Sequence, residues 1–468
     1  MARVRTWRDY AAVKKYPILK DYVERWNLTS FKNEVPAILS YFYVMGQTVV
    51  DYIRVPIWDA FLDPRIHVFW IQPTRTGKTI AWNFIGDVLM EIGIEKAMYS
   101  SGSDAGLIGT IKQVEEDGEQ VTLTQHGLLK GKKAMLFDEG STLLQGDKKA
   151  YTTDTMNYLQ GAMNPIGTDP NILSKPMAAG VVECQSSASL WITTFPVPDV
   201  RDVVLTKGLF QRVLLYVAHW EMEDRRAVSV KRMSGVFKKV ETEAMSVQDL
   251  AQHFVEIQQR CRERVFDLAE IDGDGWYALS DAQQQKKAEL VMHEMFDIDN
   301  EWDVALQGCV DEFYSLLTGL DAKMCDIVCS FMPNIENHLC LFAAHLALTE
   351  GTWTVRGEHL EMSLEILYDT YERLITWLES DVEIGQARRD KLAKMVGWKN
   401  AFGHCEKVDL GEKHGDNWVQ KSAMFVRYMK QEDKSRPTVY DRWRRNGRQW
   451  FSEITVGKVK YVRWKGDN

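Results

Sequence analysis

The chain lacks the features that would mark it as secreted, membrane-bound or stapled by metal. No apolar run in its 468 residues reaches the roughly 18 needed to span a bilayer. Met1-Ala2-Arg3-Val4-Arg5 leads into polar sequence rather than a signal-peptide core, so an intracellular, cytoplasmic protein is expected. Its seven cysteines form no C-x-x-C pair. Cys325 and Cys329 stand one helical turn apart in an apolar stretch, and reduced cysteines packed in the core are expected rather than disulfides or metal ligands. His404-Cys405 and His414 lack the second cysteine pair of a structural zinc site. Asp272-Gly273-Asp274-Gly275 lacks the glutamate that a calcium loop carries at its twelfth position, which leaves a surface turn. Internal repeats and long low-complexity linkers are absent as well.

What is present is a globular composition, 45% apolar and 26% charged, with room for a large core in about two or three domains. The net charge of −9 is unevenly placed: from Arg388 to Asn468 there are 20 Lys/Arg against 10 Asp/Glu, a balance of +10, which leaves −19 for the preceding residues. A basic end on an acidic body suggests an anionic partner for the last segment, most plausibly nucleic acid. The plainer reading is a solvated charged surface. Residues 1–60 read as amphipathic helices, with Tyr10, Val13, Tyr16, Ile18, Leu19, Tyr22 and Val23 at three- and four-residue spacings. In 61–235, apolar strands at 66–71, 134–137, 189–194 and 213–217 alternate with helix-like stretches, which implies a parallel sheet covered by helices. Residues 236–385 read as helical almost throughout. In 386–468 two short strands around Gly457 follow a helix carrying Arg442, Arg444 and Arg445, a pattern similar to a winged helix, with Lys458 and Lys460 on the hairpin.

Phosphate chemistry is written twice. Gln72-Pro73-Thr74-Arg75-Thr76-Gly77-Lys78-Thr79 joins the apolar run 66–71 to a helix that continues from Ile80, the strand-loop-helix setting of a phosphate loop. Backbone N–H groups and the helix N-terminus would hold phosphates, Lys78 would reach the β and γ groups of ATP, and Thr79 would ligate Mg2+. Gln72 stands where the first glycine of such a loop belongs. About 60 residues on, the strand Ala134-Met135-Leu136-Phe137 delivers Asp138 to the metal shell and Glu139 to the attacking water. The plainer reading of Asp138-Glu139 is a strand end capping a helix.

Between the two motifs stand Ala105-Gly106-Leu107, the charged turn Asp117-Gly118-Glu119, and Gly127-Leu128-Leu129-Lys130-Gly131. In order and spacing this stretch resembles the minichromosome-maintenance (MCM) replicative helicases, which carry an Ala-Gly-Leu segment, a charged Gly-Glu turn and a strand ending in Asp-Glu. It is also similar to helicase domains of phage and plasmid replication proteins, which replace the first loop glycine before proline. The resemblance covers residues 63–217 and continues more faintly to about 370. It implies an α/β fold, an AAA+ P-loop parallel sheet covered by helices, followed by a helical lid region and the winged-helix-like domain. Asn171-Ile172-Leu173-Ser174-Lys175-Pro176 resembles the family's second hairpin and makes Lys175 its DNA-contacting lysine. The strand ending Thr193-Thr194-Phe195-Pro196 takes the place of the sensor strand, so the sensor is Thr194 or Thr193. Gly208-Leu209-Phe210-Gln211-Arg212 resembles the arginine-finger segment and makes Arg212 the candidate. The alternative for Arg212 is a pairing with an acidic residue at the sheet edge.

The stretch 107–124 also reads as a hairpin from its residues alone, with Ile111, Val114, Val121 and Leu123 flanking Asp117-Gly118. Lys112 is its DNA contact if DNA passes there, and a purely structural ribbon is the equal alternative. Two departures stand out: about 60 helical residues precede the core where the family has an oligonucleotide-binding barrel and a zinc element, and Asn337-His338-Leu339-Cys340 stands near the place of the lid arginine. The expectation is a minimal, viral- or plasmid-type ATP-driven DNA helicase acting on single-stranded or forked DNA, in the host cytoplasm if viral. It forms a homo-hexamer or similar ring, with a primase or other replication proteins as further partners. The alternatives are an AAA+ remodelling ATPase acting on protein, and an ATP-switched DNA-binding origin initiator.

Overall fold

Val68-Phe69-Trp70-Ile71 is a run of four apolar residues, every one buried, and it forms the strand on which the larger part of the molecule is built. The computed structural model describes residues 6–30, 32–57, 60–74, 76–99, 104–116, 119–131, 134–138, 140, 155–177, 180–196, 211–218, 220, 222–234, 244–320, 322–379, 398–410, 414, 416–432, 436–444, 448 and 451–465. Five strands, β1 (Val68–Ile71), β2 (Lys96–Tyr99), β3 (Ala134–Phe137), β4 (Ser189–Thr194) and β5 (Leu214–Val217), make one parallel sheet in the order β5-β1-β4-β3-β2. The protein is therefore mixed α/β. β1, β3, β4 and β5 are buried at every position, as continuous apolar strands covered on both faces must be. The edge strand β2 exposes Met98 and carries Lys96, and this polarity hides it from an apolar-run reading.

Because the strands are parallel, their carboxyl ends share one edge. Ile71 lies opposite Thr194 and Val217, and Phe137 lies opposite Ile192 and Tyr99. Two antiparallel hairpins, Gly109–Glu116 with Glu119–His126 and Ile172–Met177 with Gly180–Gln185, rise from the opposite edge. The first runs on into β3 and the second into β4, and a backbone bridge from Gly131 to Ser186 joins their roots.

The helices named here are α1 (Pro17–Thr29), α2 (Glu34–Val49), α3 (Lys78–Ile92), α4 (Val247–Leu268), α5 (Met332–Glu350) and α6 (Gly357–Glu379). The amphipathic expectation holds for α1, but α2 is buried all round from Val35 to Val49. A helix apolar on every side belongs inside a core. Phe42 stacks on Phe342 of α5 at 4.0 Å and Tyr41 packs on Phe254 of α4 at 5.2 Å. Tyr43 donates to the Ser189 carbonyl at 2.9 Å and Gln47 to the Ser187 carbonyl at 3.1 Å. Gly46 is required where α2 crosses the lead into β1, since a Cβ there would meet the Pro64 carbonyl oxygen at 2.2 Å.

The chain divides into two compact units, 1–379 and 380–468. In the first, the segments 1–60, 61–235 and 236–379 contribute to one hydrophobic core running from Tyr10 to Leu378. The second has its own core, in which Trp398 stacks on Tyr428 at 3.7 Å beside Phe425, Trp443, Phe451 and Trp464. Its strands Val419–Gln420, Phe451–Val456 and Val459–Trp464 form an antiparallel sheet with the last strand in the middle, beside helices Lys421–Glu432 and Arg436–Arg442. Gly457 turns the hairpin with φ +62°.

Some local expectations need correction. Cys329 is exposed and Cys325 half-buried, whereas Cys184, Cys261 and Cys309 are buried, and all seven are free. Asp272 caps a short helix, Gly273–Tyr277, by accepting from the Gly275 N–H at 2.6 Å, rather than forming a plain surface turn. Among the described residues no helix is long and apolar enough to cross a membrane.

At the amino edge of the sheet, Arg65 is buried against Asp63 at 2.8 Å and donates to the carbonyls of Ala162, Asn164, Ser186 and Ala188. Burial pushes the Asp63 carboxyl up, but the Arg65 charge and hydrogen bonds, with Arg54 behind them, outweigh it and hold it below the usual range. Burial also drives His67 down to about 3, with the Arg65 charge adding to the effect, and lowers His338 to about 4 and His345 to about 3. These imidazoles stay neutral in the folded protein, while the unfolded chain protonates them below about pH 6.5. Stability from this source is therefore complete above that pH and falls as pH drops, down to about 4 for His338 and about 3 for His67 and His345. Thermal unfolding is expected at progressively lower temperature from pH 7 to pH 5. His345→Phe, which preserves the stacking on Phe42, should reduce that slope; an unchanged slope would remove His345 from the account.

Candidate nucleotide site

β1 ends at Ile71, the chain turns through residues 72–77, and α3 begins at Lys78. Gly77 caps the helix with φ +94°, a left-handed conformation that glycine adopts without strain. The turn aims the positive end of a 15-residue helix at the carboxyl edge of the sheet, where anions bind in parallel α/β folds. The Lys78 ammonium folds back and donates to the carbonyls of Gln72 and Pro73 at 2.7 and 2.9 Å, and Thr76 donates to the Pro73 carbonyl at 2.7 Å.

Asp138 follows β3 directly. The Thr79 hydroxyl donates to its Oδ2 at 3.2 Å and the Thr193 hydroxyl to its Oδ1 at 3.0 Å. A hydroxyl and a carboxylate converging beside a helix N-terminus are the hard oxygen donors that Mg2+ takes together with nucleotide phosphates. The donor set therefore fits Mg2+ and a polyphosphate. Past Asp138 the Gly140 N–H donates to the Thr193 carbonyl at 2.6 Å. Thr194, next to Thr193, accepts through its carbonyl from the Gln72 N–H at 3.0 Å. Its own hydroxyl is buried without a hydrogen-bond partner among the described residues. Of the two sensor candidates, Thr193 is the one bonded to Asp138.

No protein-family model matches the chain, and no curated protein does. The site therefore stands on its own geometry.

The structure brings Gln72, Pro73, Thr76, Gly77, Lys78, Thr79, Thr193, Thr194 and Asp138 to one edge, with Thr74 and Ile80 exposed beside them. Arg75 and Glu139 lie outside the described residues. The remaining candidates are elsewhere. Arg212 precedes β5 at the amino edge, where its Nε donates to Asn164 Oδ1 at 3.3 Å. Lys175 is half-buried on the second hairpin opposite Val182, and Lys112 sits on the first opposite Leu123. The hairpins are adjacent: a Cβ on Gly180 would meet Ile111 Cδ1 at 3.3 Å. In the second unit Arg444, Lys458 and Lys460 are exposed and Arg442 is half-buried, while Arg445 lies outside the described residues. Lys421 is engaged with Glu453 at 2.9 Å, a carboxylate that Lys460 also approaches at 3.9 Å, and lies 4.7 Å from the Trp443 ring. His338 is buried on α5 and bonds the Asn334 carbonyl at 2.6 Å. Among the described residues no group of His, Cys, Asp and Glu could by itself hold a metal.

Sequence reading missed Ser30, Asn33 and Gly140. The first two reach the loop from 39 to 47 residues away, a separation without a local pattern. Gly140 follows Asp138-Glu139 closely enough to have been noticed: a Cβ there would meet Ile192 Cγ2 at 2.6 Å, Phe69 Cε2 at 3.0 Å and the Thr193 carbonyl oxygen at 3.2 Å. Gly140→Ala must push β4 or Phe69 aside, so thermal or urea unfolding should register a loss of about 1–3 kcal/mol. Wild-type stability in this variant would mean that the close approach is dispensable.

Proposed function

We infer that the protein is an ATP-hydrolysing DNA motor, a ring-forming AAA+ helicase or translocase similar to the MCM type. The observation that carries the reading is the Thr79–Asp138 hydrogen bond of 3.2 Å, which joins two phosphate motifs read separately from the sequence. With nucleotide bound, Lys78 would leave the Gln72 and Pro73 carbonyls for the β and γ phosphates, a charge-assisted exchange of partners. Thr79 and Asp138 would hold Mg2+, which supplies Lewis-acid stabilisation of charge on the phosphoryl oxygens. Thr193 orients Asp138, and Glu139 would take the proton of the attacking water.

The DNA part of the reading is supported by the balance of +10 after Arg388, by the exposed Arg444, Lys458 and Lys460 on a helix-and-hairpin unit, and by Lys175 on the second hairpin. The arrangement of that unit is consistent with a winged helix. A protein substrate is the second reading, favoured by Ile172 and Val181, apolar residues exposed on the second hairpin. Arg212 stands a strand's length from its own phosphate loop and would serve a neighbouring subunit.

Lys78→Ala is expected to abolish ATP turnover, and Glu139→Gln to retain ATP binding while stopping hydrolysis, both measurable by phosphate release and nucleotide retention. DNA-stimulated hydrolysis surviving in Lys78→Ala would end the assignment. Single-stranded DNA should stimulate turnover, whereas stimulation by unfolded polypeptide alone would favour the second reading. Removing residues 380–468 should weaken DNA binding and flatten its dependence on salt, because fewer phosphate contacts release fewer counterions. An unchanged affinity and salt slope would clear the C-terminal unit of that role.

A further inference from the structure

We propose that Asn33 and Gln72 form a clamp between the N-terminal helices and the phosphate loop, and that this clamp positions the loop's backbone for phosphate. The proposal rests on the nucleotide reading of that loop. Gln72 occupies the place of the first loop glycine, yet its side chain is fully buried and every polar atom of it is used. Trp70 Nε1 donates to Gln72 Oε1 at 2.6 Å, and Gln72 Nε2 donates to Asn33 Oδ1 at 2.8 Å and to the Thr76 carbonyl at 3.3 Å. Asn33, 2% exposed, spends its amide hydrogens on the Thr76 carbonyl at 2.9 Å and Ser30 Oγ at 2.7 Å. Ser30 in turn donates to the Gly77 carbonyl at 3.2 Å.

The polarity of this chain of bonds has a single solution. An indole N–H only donates, so Gln72 must turn its oxygen to Trp70 and its amide to Asn33. Asn33 must then turn its oxygen to Gln72 and its own amide to the loop. The result is a Thr76 carbonyl held by both amides and a Gly77 carbonyl held by Ser30 together with the Ala81 N–H of α3 at 2.9 Å, both facing the N-terminal helices. In a planar trans peptide the N–H points opposite to the carbonyl. Holding these carbonyls on the helix side therefore turns the N–H groups of Gly77 and Lys78 away from the clamp, the orientation a phosphate cradle needs. Glycine at position 72 would supply none of these bonds.

Asn33 and Gln72 are positioning residues, since neither meets the phosphate. Their removal should weaken binding of MgATP and leave turnover at saturation nearly intact. In calorimetric titration of the full chain with MgATP, Asn33→Ala and Gln72→Gly are each expected to raise Kd about ten-fold, and KM likewise, with kcat within about two-fold of wild type. The double variant should be no worse than the weaker single variant, because either substitution breaks the same chain of bonds. If Asn33→Ala does not fold, Gln72→Gly and Ser30→Ala carry the test. Wild-type Kd in these variants, or fully additive losses in the double variant, would overturn the clamp while leaving the nucleotide site standing. Failure of the wild-type protein to bind MgATP would overturn the nucleotide reading itself.

Discussion

The hydrogen bond from Thr79 to Asp138 depends on the order of the strands. Thr79 follows β1 and Asp138 follows β3, and these strands are not neighbours; β4 lies between them. The carboxylate must lean across the end of β4 to reach the start of α3, and Thr193 on β4 holds it there from below. Gly140 keeps the chain beyond Asp138 pressed on the same strand. Each of these contacts requires the parallel register that sets Ile71, Thr194 and Phe137–Asp138 at one edge.

The sheet consequently has two chemically different edges. Hard oxygen donors, a lysine and a helix N-terminus stand at the carboxyl edge, and the hairpins, Arg212 and the Asp63–Arg65 pair stand at the amino edge. A buried ion pair is expensive unless further hydrogen bonds satisfy it. Arg65 meets that condition by gathering four backbone carbonyls at the roots of the second hairpin and β4. α2 connects the two edges. Asn33, immediately before it, bonds the phosphate loop, while Gln47 near its other end bonds Ser187 and Ser189 where β4 begins. The 16 residues of α2 span about 24 Å and are buried from Val35 to Val49, so a single packed helix touches both edges.

Much of this was legible in the sequence. Strands β1, β3, β4 and β5, the first hairpin and α3 are announced by apolar runs, turn residues and a Gly-Lys-Thr triplet, all local signals, whereas the second hairpin is implied only by the resemblance. Lys78, Thr79 and Asp138 were legible because their chemistry constrains their neighbours. The edge strand β2 was not, since an exposed strand needs no apolar run. Nor was the burial of α2: its composition announces a helix, but the helices that enclose it come some 200 to 300 residues later. The bond from Gln72 to Asn33 leaves no local sequence pattern, because Asn33 lies in another element.

Arg212 tests how far edge geometry constrains function. It precedes Leu214, which pairs with Val68 at the amino end of β1, whereas the phosphate loop follows Ile71 at the carboxyl end. The separation along the strands is at least about 10 Å, with the packed sheet between. A guanidinium anchored to Asn164 on that side cannot swing through the core to its own loop. On the proposed ring-forming reading, a nucleotide phosphate that meets Arg212 would be one held by another copy of the chain. The side chain would then report the neighbour's position as well as stabilise its charge, and on that reading an isolated subunit would keep the proposed nucleotide site while lacking the group that completes it.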